Sequence, residues 1–136
     1  MELNINSPAY YSVQYGIDNE VYRFCQYLYM NFKDKEYSDT LNIIGLMPVV
    51  APQEMYDSGK WQEQVRLRGN KSVAVITIRM DFEKYHKGDS NEKMIQMKDI
   101  ILQAVRMVRS RGKFDYQAFE KDLNALWEAW GERKHN

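Results

Sequence analysis

An α+β fold is predicted by three features of the 136-residue sequence. Polar and apolar residues alternate through "KWQEQVRLRGNKSVAVITIRMDF", the signature of a half-buried strand pair. Three other segments repeat apolar residues at helical spacing. No repeat, low-complexity stretch or Pro/Gly-rich linker divides the chain. The expected architecture is a compact antiparallel sheet of about four strands, covered mainly on one face by three helices, in the order β-α-β-β-β-α-α. One domain spanning residues 1–136 is long enough to bury a core without disulfides or metal.

In chain order, "MELNIN" sets Leu3 and Ile5 against Glu2, Asn4 and Asn6, a short strand ended by Ser7-Pro8. Asp18 is placed to cap a helix whose apolar positions Val21, Phe24, Cys25, Leu28 and Tyr29 run to about Phe32. "TLNIIGLMPVVAP" is apolar and β-branched, but Gly45 and Pro48 interrupt it. It reads as a strand around residues 41–45 and a second extended piece to Ala51. Trp61, Glu63, Val65 and Leu67 then alternate with Gln62, Gln64, Arg66 and Arg68, and Gly69-Asn70 turns the chain into a strand over residues 72–82. Within that strand Ala74, Ile76, Ile78, Met80 and Phe82 share one face, while Val73, Val75, Thr77 and Arg79 share the other.

Asp89 with Glu92 has the spacing of a capping box, followed by the stripe Met94, Met97, Ile101, Ala104, Val105 and Val108 and a stop at Gly112. A last helix begins at Asp115, with Tyr116, Phe119, Leu123, Leu126, Trp127 and Trp130 along one side. Phe24, Leu28, Ile76, Ile78, Ile101, Val105, Leu123 and Trp127 are the expected core.

Nineteen basic residues balance nineteen acidic ones, so no global field recruits nucleic acid or an anionic membrane. The charge is uneven: residues 60–113 carry thirteen Lys/Arg against six Asp/Glu. Arg66, Arg68, Lys71 and Arg79 are the candidate basic sheet face, and Asp39, Glu54 and Asp57 the candidate acidic surface. Cys25 is the sole cysteine, which excludes an intrachain disulfide and suits a reducing compartment. "MELNINSPAY" lacks the pattern of a secretory signal, and no run approaches a membrane span, so the cytoplasm is the expected location.

Nucleophilic catalysis needs a Ser, Cys or Thr beside an oriented base, and His86 and His135 are the only imidazoles. His135 lies in the charged tail "GERKHN". Cys25 falls on the apolar stripe, where burial keeps a thiol protonated and inert. Asp81, Glu83, Tyr85, His86 and Asp89 in "RMDFEKYHKGD" offer the donor types of a polar or metal site without a recognised spacing. A small enzyme built on Asp81, Glu83 and His86 is therefore the rival function, and a nucleic-acid or regulatory adaptor using the basic hairpin is another. No phosphate loop, dinucleotide turn or zinc pattern occurs, so no cofactor and no metal are expected.

Tyr10, Tyr11, Tyr15, Tyr22, Tyr27 and Tyr29 crowd the first thirty residues, and Tyr37 follows. They cannot all face one core stripe. Tyr22 and Tyr29 lie beside the buried line and are expected to serve folding. Tyr10, Tyr11, Tyr15 and Tyr27 are the candidate partner-binding patch, since Tyr supplies contact area at low side-chain entropy cost.

"SPAYYSVQYGIDNEVYRFCQ", "IIGLMPVVAPQEMYDSGKW" and "KFDYQAFEKDL" resemble the immunity protein 44 family of bacterial polymorphic toxin systems. The resemblance implies a cytoplasmic protein that binds and neutralises a cognate toxin domain by occlusion, without catalysis, nucleic acid or membrane. Many immunity proteins facing nucleases are strongly acidic, and this chain is neutral.

Overall fold

The computed structural model describes residues 1–6, 17–59, 63–70, 72–109 and 113–135. Tyr10, Tyr11, Tyr15, Trp61, Lys71 and Gly112 fall outside them. The elements are β1 (Glu2–Ile5), α1 (Asn19–Phe32), β2 (Ile43–Ala51), α2 (Gln53–Asp57), β3 (Gln64–Arg68), β4 (Val73–Asp81), α3 (Phe82–Lys87), α4 (Ser90–Val108) and α5 (Tyr116–His135). The α+β class and a four-stranded sheet with long helices on one side follow the expectation. Two short helices, α2 and α3, add to the expected order, and Phe82 opens α3 rather than ending the strand. The tail through His135 continues α5.

The sheet corrects one expectation: it is mixed, not antiparallel. Its order is β1-β2-β4-β3, with β1–β2 and β2–β4 parallel and only the β3–β4 hairpin antiparallel. Parallel neighbours need a long crossover, and the chain supplies one each time. The segment carrying α1 returns the chain to the starting end of the sheet between β1 and β2. The segment carrying α2 and β3 does so between β2 and β4. The hairpin turn has Gly69 and Asn70 both at φ 56°, the left-handed region that Gly and Asn tolerate best.

β2 is one continuous strand through Gly45 and Pro48. The carbonyl of Leu46 accepts from the N–H of Asn6, so even-numbered residues of β2 turn their backbone groups toward β1. In this parallel ladder the Asn6 carbonyl would accept next from residue 48; Pro48 has no N–H to give, so pairing with β1 stops there while β4 carries the strand on. The second half of β2 is covered on both faces, with Val49, Val50 and Ala51 fully buried, which accounts for the unbroken apolar run there.

Leu3, Ile5, Ile44, Leu46, Ala74, Ile76, Ile78 and Met80 point to one sheet face and are buried under the helices. Val21, Phe24, Cys25, Leu28 and Phe32 from α1 meet them, together with Met94, Met97, Ile101, Ala104, Val105 and Val108 from α4. The expected capping box holds: Asp89 accepts from the Glu92 N–H at 2.8 Å, and Glu92 accepts from the Asp89 N–H. α1 has no basic residue in its last turn. The Met1 ammonium takes that place, donating to the carbonyls of Phe32 and Lys33 at 3.2 Å and to that of Lys35, where positive charge complements the helix dipole.

Of the expected core residues, Trp127 alone is not fully enclosed; it is half-buried. Only the first turns of α5 insert, through Phe119 and Leu123, and the later turns ride over α1. There Trp127 meets Phe24 edge-on at 5.4 Å, and the Lys98 ammonium lies 5.7 Å from its ring centre.

Candidate partner interface

A second stripe runs along α1, one residue out of step with the core stripe. Glu20, Arg23, Tyr27 and Met30 recur at spacings of three and four, so they share the flank that faces α5. With Gln26, Asn31, Met94 and Trp130 they line an open groove of about 740 Å³. Its apolar floor is Tyr27, Met30, Met94 and Trp130. Met30 is the most exposed large apolar residue described, at 56%.

The floor is held by its neighbours. The Trp130 ring lies 5.0 Å from Tyr27 and 5.6 Å from Phe24, and its indole N–H donates to Met94 Sδ at 3.3 Å. Asn31 Nδ2 donates to the Tyr27 carbonyl at 2.8 Å. An aromatic pair, two thioethers and a polar rim make a surface suited to apolar side chains of a protein partner. Of the four tyrosines singled out in the sequence, Tyr27 is the one described, half-buried in this floor; Tyr10, Tyr11 and Tyr15 lie outside the described residues. Met30 was not singled out in the sequence, where the signal available was the offset stripe itself, and Met94 was assigned to the core stripe of α4.

The other tyrosines divide by location. Tyr22, 37% exposed, and Tyr29 line a smaller groove of about 170 Å³ between α1 and β1. Tyr37 is core, packed on Phe119 at 5.4 Å and Phe114 at 5.5 Å, and it donates to Asp122 Oδ2 at 2.6 Å. Burial, then the Asp122 carboxylate, holds its phenol far above the ordinary tyrosine range. Tyr85 is buried too, and its hydroxyl accepts from the Asp18 N–H at 2.8 Å. Burial pushes its pKa up to about 12.

Asp18 occupies the N-cap position of α1, but its carboxylate makes no cap hydrogen bond. It pairs instead with Lys93 at 2.6 Å. The Lys93 ammonium also lies 5.0 Å from the centre of the Tyr85 ring. The start of α1, α3 and α4 are thereby tied together. Burial pushes the Cys25 thiol up to about 12, the direction that suppresses thiolate chemistry.

The rival polar residues are engaged locally. Asp81 caps α3 by accepting from the Lys84 N–H at 2.9 Å and lies 3.6 Å from Arg79. Glu83 pairs with Lys87 at 4.0 Å, and the His86 ring stacks edge-on to Phe82 at 4.5 Å. Among the described residues, no three His, Cys, Asp or Glu side chains gather where they would hold a metal. Of the candidate basic face, Arg66 and Arg68 are exposed on β3, whereas Arg79 turns inward and donates to the Ala51 carbonyl at 2.9 Å. Asp39, Glu54 and Asp57 are exposed, the last accepting from Gln53 at 2.9 Å.

Among the described residues, no helix is long and apolar enough to cross a membrane. No curated protein and no solved structure matches the chain. Residues 1–129 match the family model described as immunity protein 44, in agreement with the resemblance carried by the tyrosine-rich, β2 and α5 segments. The chain belongs to the immunity protein 44 family.

Proposed function

We propose that the chain binds and neutralises a cognate toxin domain of a polymorphic toxin system in the cytoplasm, by occlusion and without catalysis. The observation that carries this reading, beside family membership, is the α1–α5 groove, whose apolar floor is braced from beneath. Occlusion requires a stable scaffold and a complementary patch, and no acid–base pair or cofactor. Tyr27 belongs to the proposed contact surface, with Met30 and Trp130 beside it. Tyr10, Tyr11 and Tyr15 are proposed to contribute to the same interaction.

Co-expression with the toxin domain encoded beside the immunity gene tests the reading. Survival should be restored, and a stoichiometric complex should form in calorimetric titration. Unchanged killing with no complex at micromolar concentrations would refute it.

A further inference from the structure

We propose that the sheet face turned away from the helices is a homodimer interface, with two copies of this chain meeting about a two-fold axis that runs along the strands. The strand register sets out two cross-strand rows on that face. Glu2, Ile43, Val73 and Arg68 form one, and Asn4, Gly45, Val75 and Arg66 the other. Each row begins with an acidic or amide side chain on the edge strand β1 and ends with an arginine on the edge strand β3. Between them lie apolar residues that the helices do not cover, all half-exposed. Val49, Ala51 and Met55 of the β2–α2 corner pack together farther along β2, and none of the described residues of that cluster reaches the two rows.

A rotation about an axis along the strands exchanges β1 with β3 and β2 with β4. Arg68 then lies over the partner's Glu2, and Arg66 over the partner's Asn4. The two ends of a row are three strand spacings apart, roughly 14 Å, so both ends engage at once without strain. Among the described residues, Glu2, Arg66 and Arg68 make no ion pair within the chain.

Shape supports the same pairing. Gly45 lies at the centre of the face, and the rotation sets the partner's Val75 above it. Among the described residues nothing requires glycine there. A Cβ would meet only the Ala74 carbonyl oxygen at 3.8 Å, an ordinary contact, and a glycine within a strand is a local weakness. The dent left by the missing side chain matches the valine that the two-fold places over it.

A second copy fits better than a uniformly acidic partner, because Glu2 repels an acidic surface laid on the same row. The zero net charge of the chain likewise gives a polyanion no long-range attraction. The groove between α1 and α5 stays open in such a dimer, so this inference stands apart from the toxin reading.

Sedimentation equilibrium of the full chain tests it. The wild type should move with concentration from one chain of 16.2 kDa to twice that mass. Arg68→Glu and Glu2→Arg should each hold the protein monomeric, and the double charge exchange should restore the dimer. Gly45→Val should abolish association while leaving the thermal midpoint unchanged or higher, since a β-branched residue suits the strand. A wild type that remains monomeric to about 1 mM overturns the proposal. So does a dimer that survives Arg68→Glu and Gly45→Val, a double exchange that stays monomeric, or a face that binds a single-stranded oligonucleotide while the protein remains a monomer.

Discussion

The indole N–H of Trp130 donates to the thioether sulfur of Met94 at 3.3 Å, tying the late turns of α5 to the start of α4 beneath the flank of α1. Trp130 is thereby both the brace of the groove and part of its surface. Trp130→Ala should weaken toxin binding and also lower stability, because the ring packs on Phe24 and Tyr27. A thermal melt and a titration on the same sample should move together.

Tyr27 and Met30 separate these roles. Tyr27→Ala should weaken toxin binding by at least about tenfold, or ~1.4 kcal/mol, with the melting temperature shifted by only a few degrees. Met30→Ala should leave stability within ~0.5 kcal/mol, since more than half of its surface is already in water. Unchanged affinity with a collapsed melt for Tyr27→Ala would place that ring in the scaffold alone.

Ile76 and Ile78 have no exposed surface, and both are enclosed by the helix layer. Ile76→Ala should cost ~2–5 kcal/mol in urea unfolding, with the slope of the transition unchanged. A loss below ~1 kcal/mol would mean that the site collapses around the shorter side chain.

The two aspartates at helix starts should behave differently. Asp89→Ala removes a reciprocal capping box and should cost about 1 kcal/mol. Asp18→Ala removes no cap, only an ion pair whose aspartate is about half exposed, and should cost less than about 1 kcal/mol. Equal losses in urea unfolding would show that the Lys93 contact matters more than a surface pair does.

Stability should fall on the alkaline side. Burial raises Cys25 and Tyr85 to about 12 from ordinary values of 9.0 and 10.0, and Tyr37 is raised as well. Above pH 9 the unfolded chain releases these protons while the folded chain retains them, so the unfolded state is increasingly favoured. The contribution is fully present below pH 9 and is lost as pH rises toward 12. Denaturation followed between pH 7 and 12 should show this decline, and Tyr37→Phe should flatten it. A profile that is flat to pH 12 would refute the assignment.

What the sequence by itself determined was local. The α1 and α4 stripes, the Asp89–Glu92 box, the left-handed turn at Gly69-Asn70 and the buried face of β4 all arise from contacts within a few residues, where period and capping chemistry are written directly. The immunity protein 44 resemblance was legible as well, because it is carried by stretches of sequence. The tertiary structure alone decided the direction of strand pairing, which depends on where a long crossover returns the chain. It also decided that β2 continues past Pro48, because β4 pairs the strand along its whole length and the missing proline donor faces only the β1 side. Asp18 faced a choice between its own helix and Lys93, 75 residues away, and proximity in three dimensions settled it. The groove floor likewise draws Tyr27, Met94 and Trp130 from three helices, and no spacing along the chain brings those together.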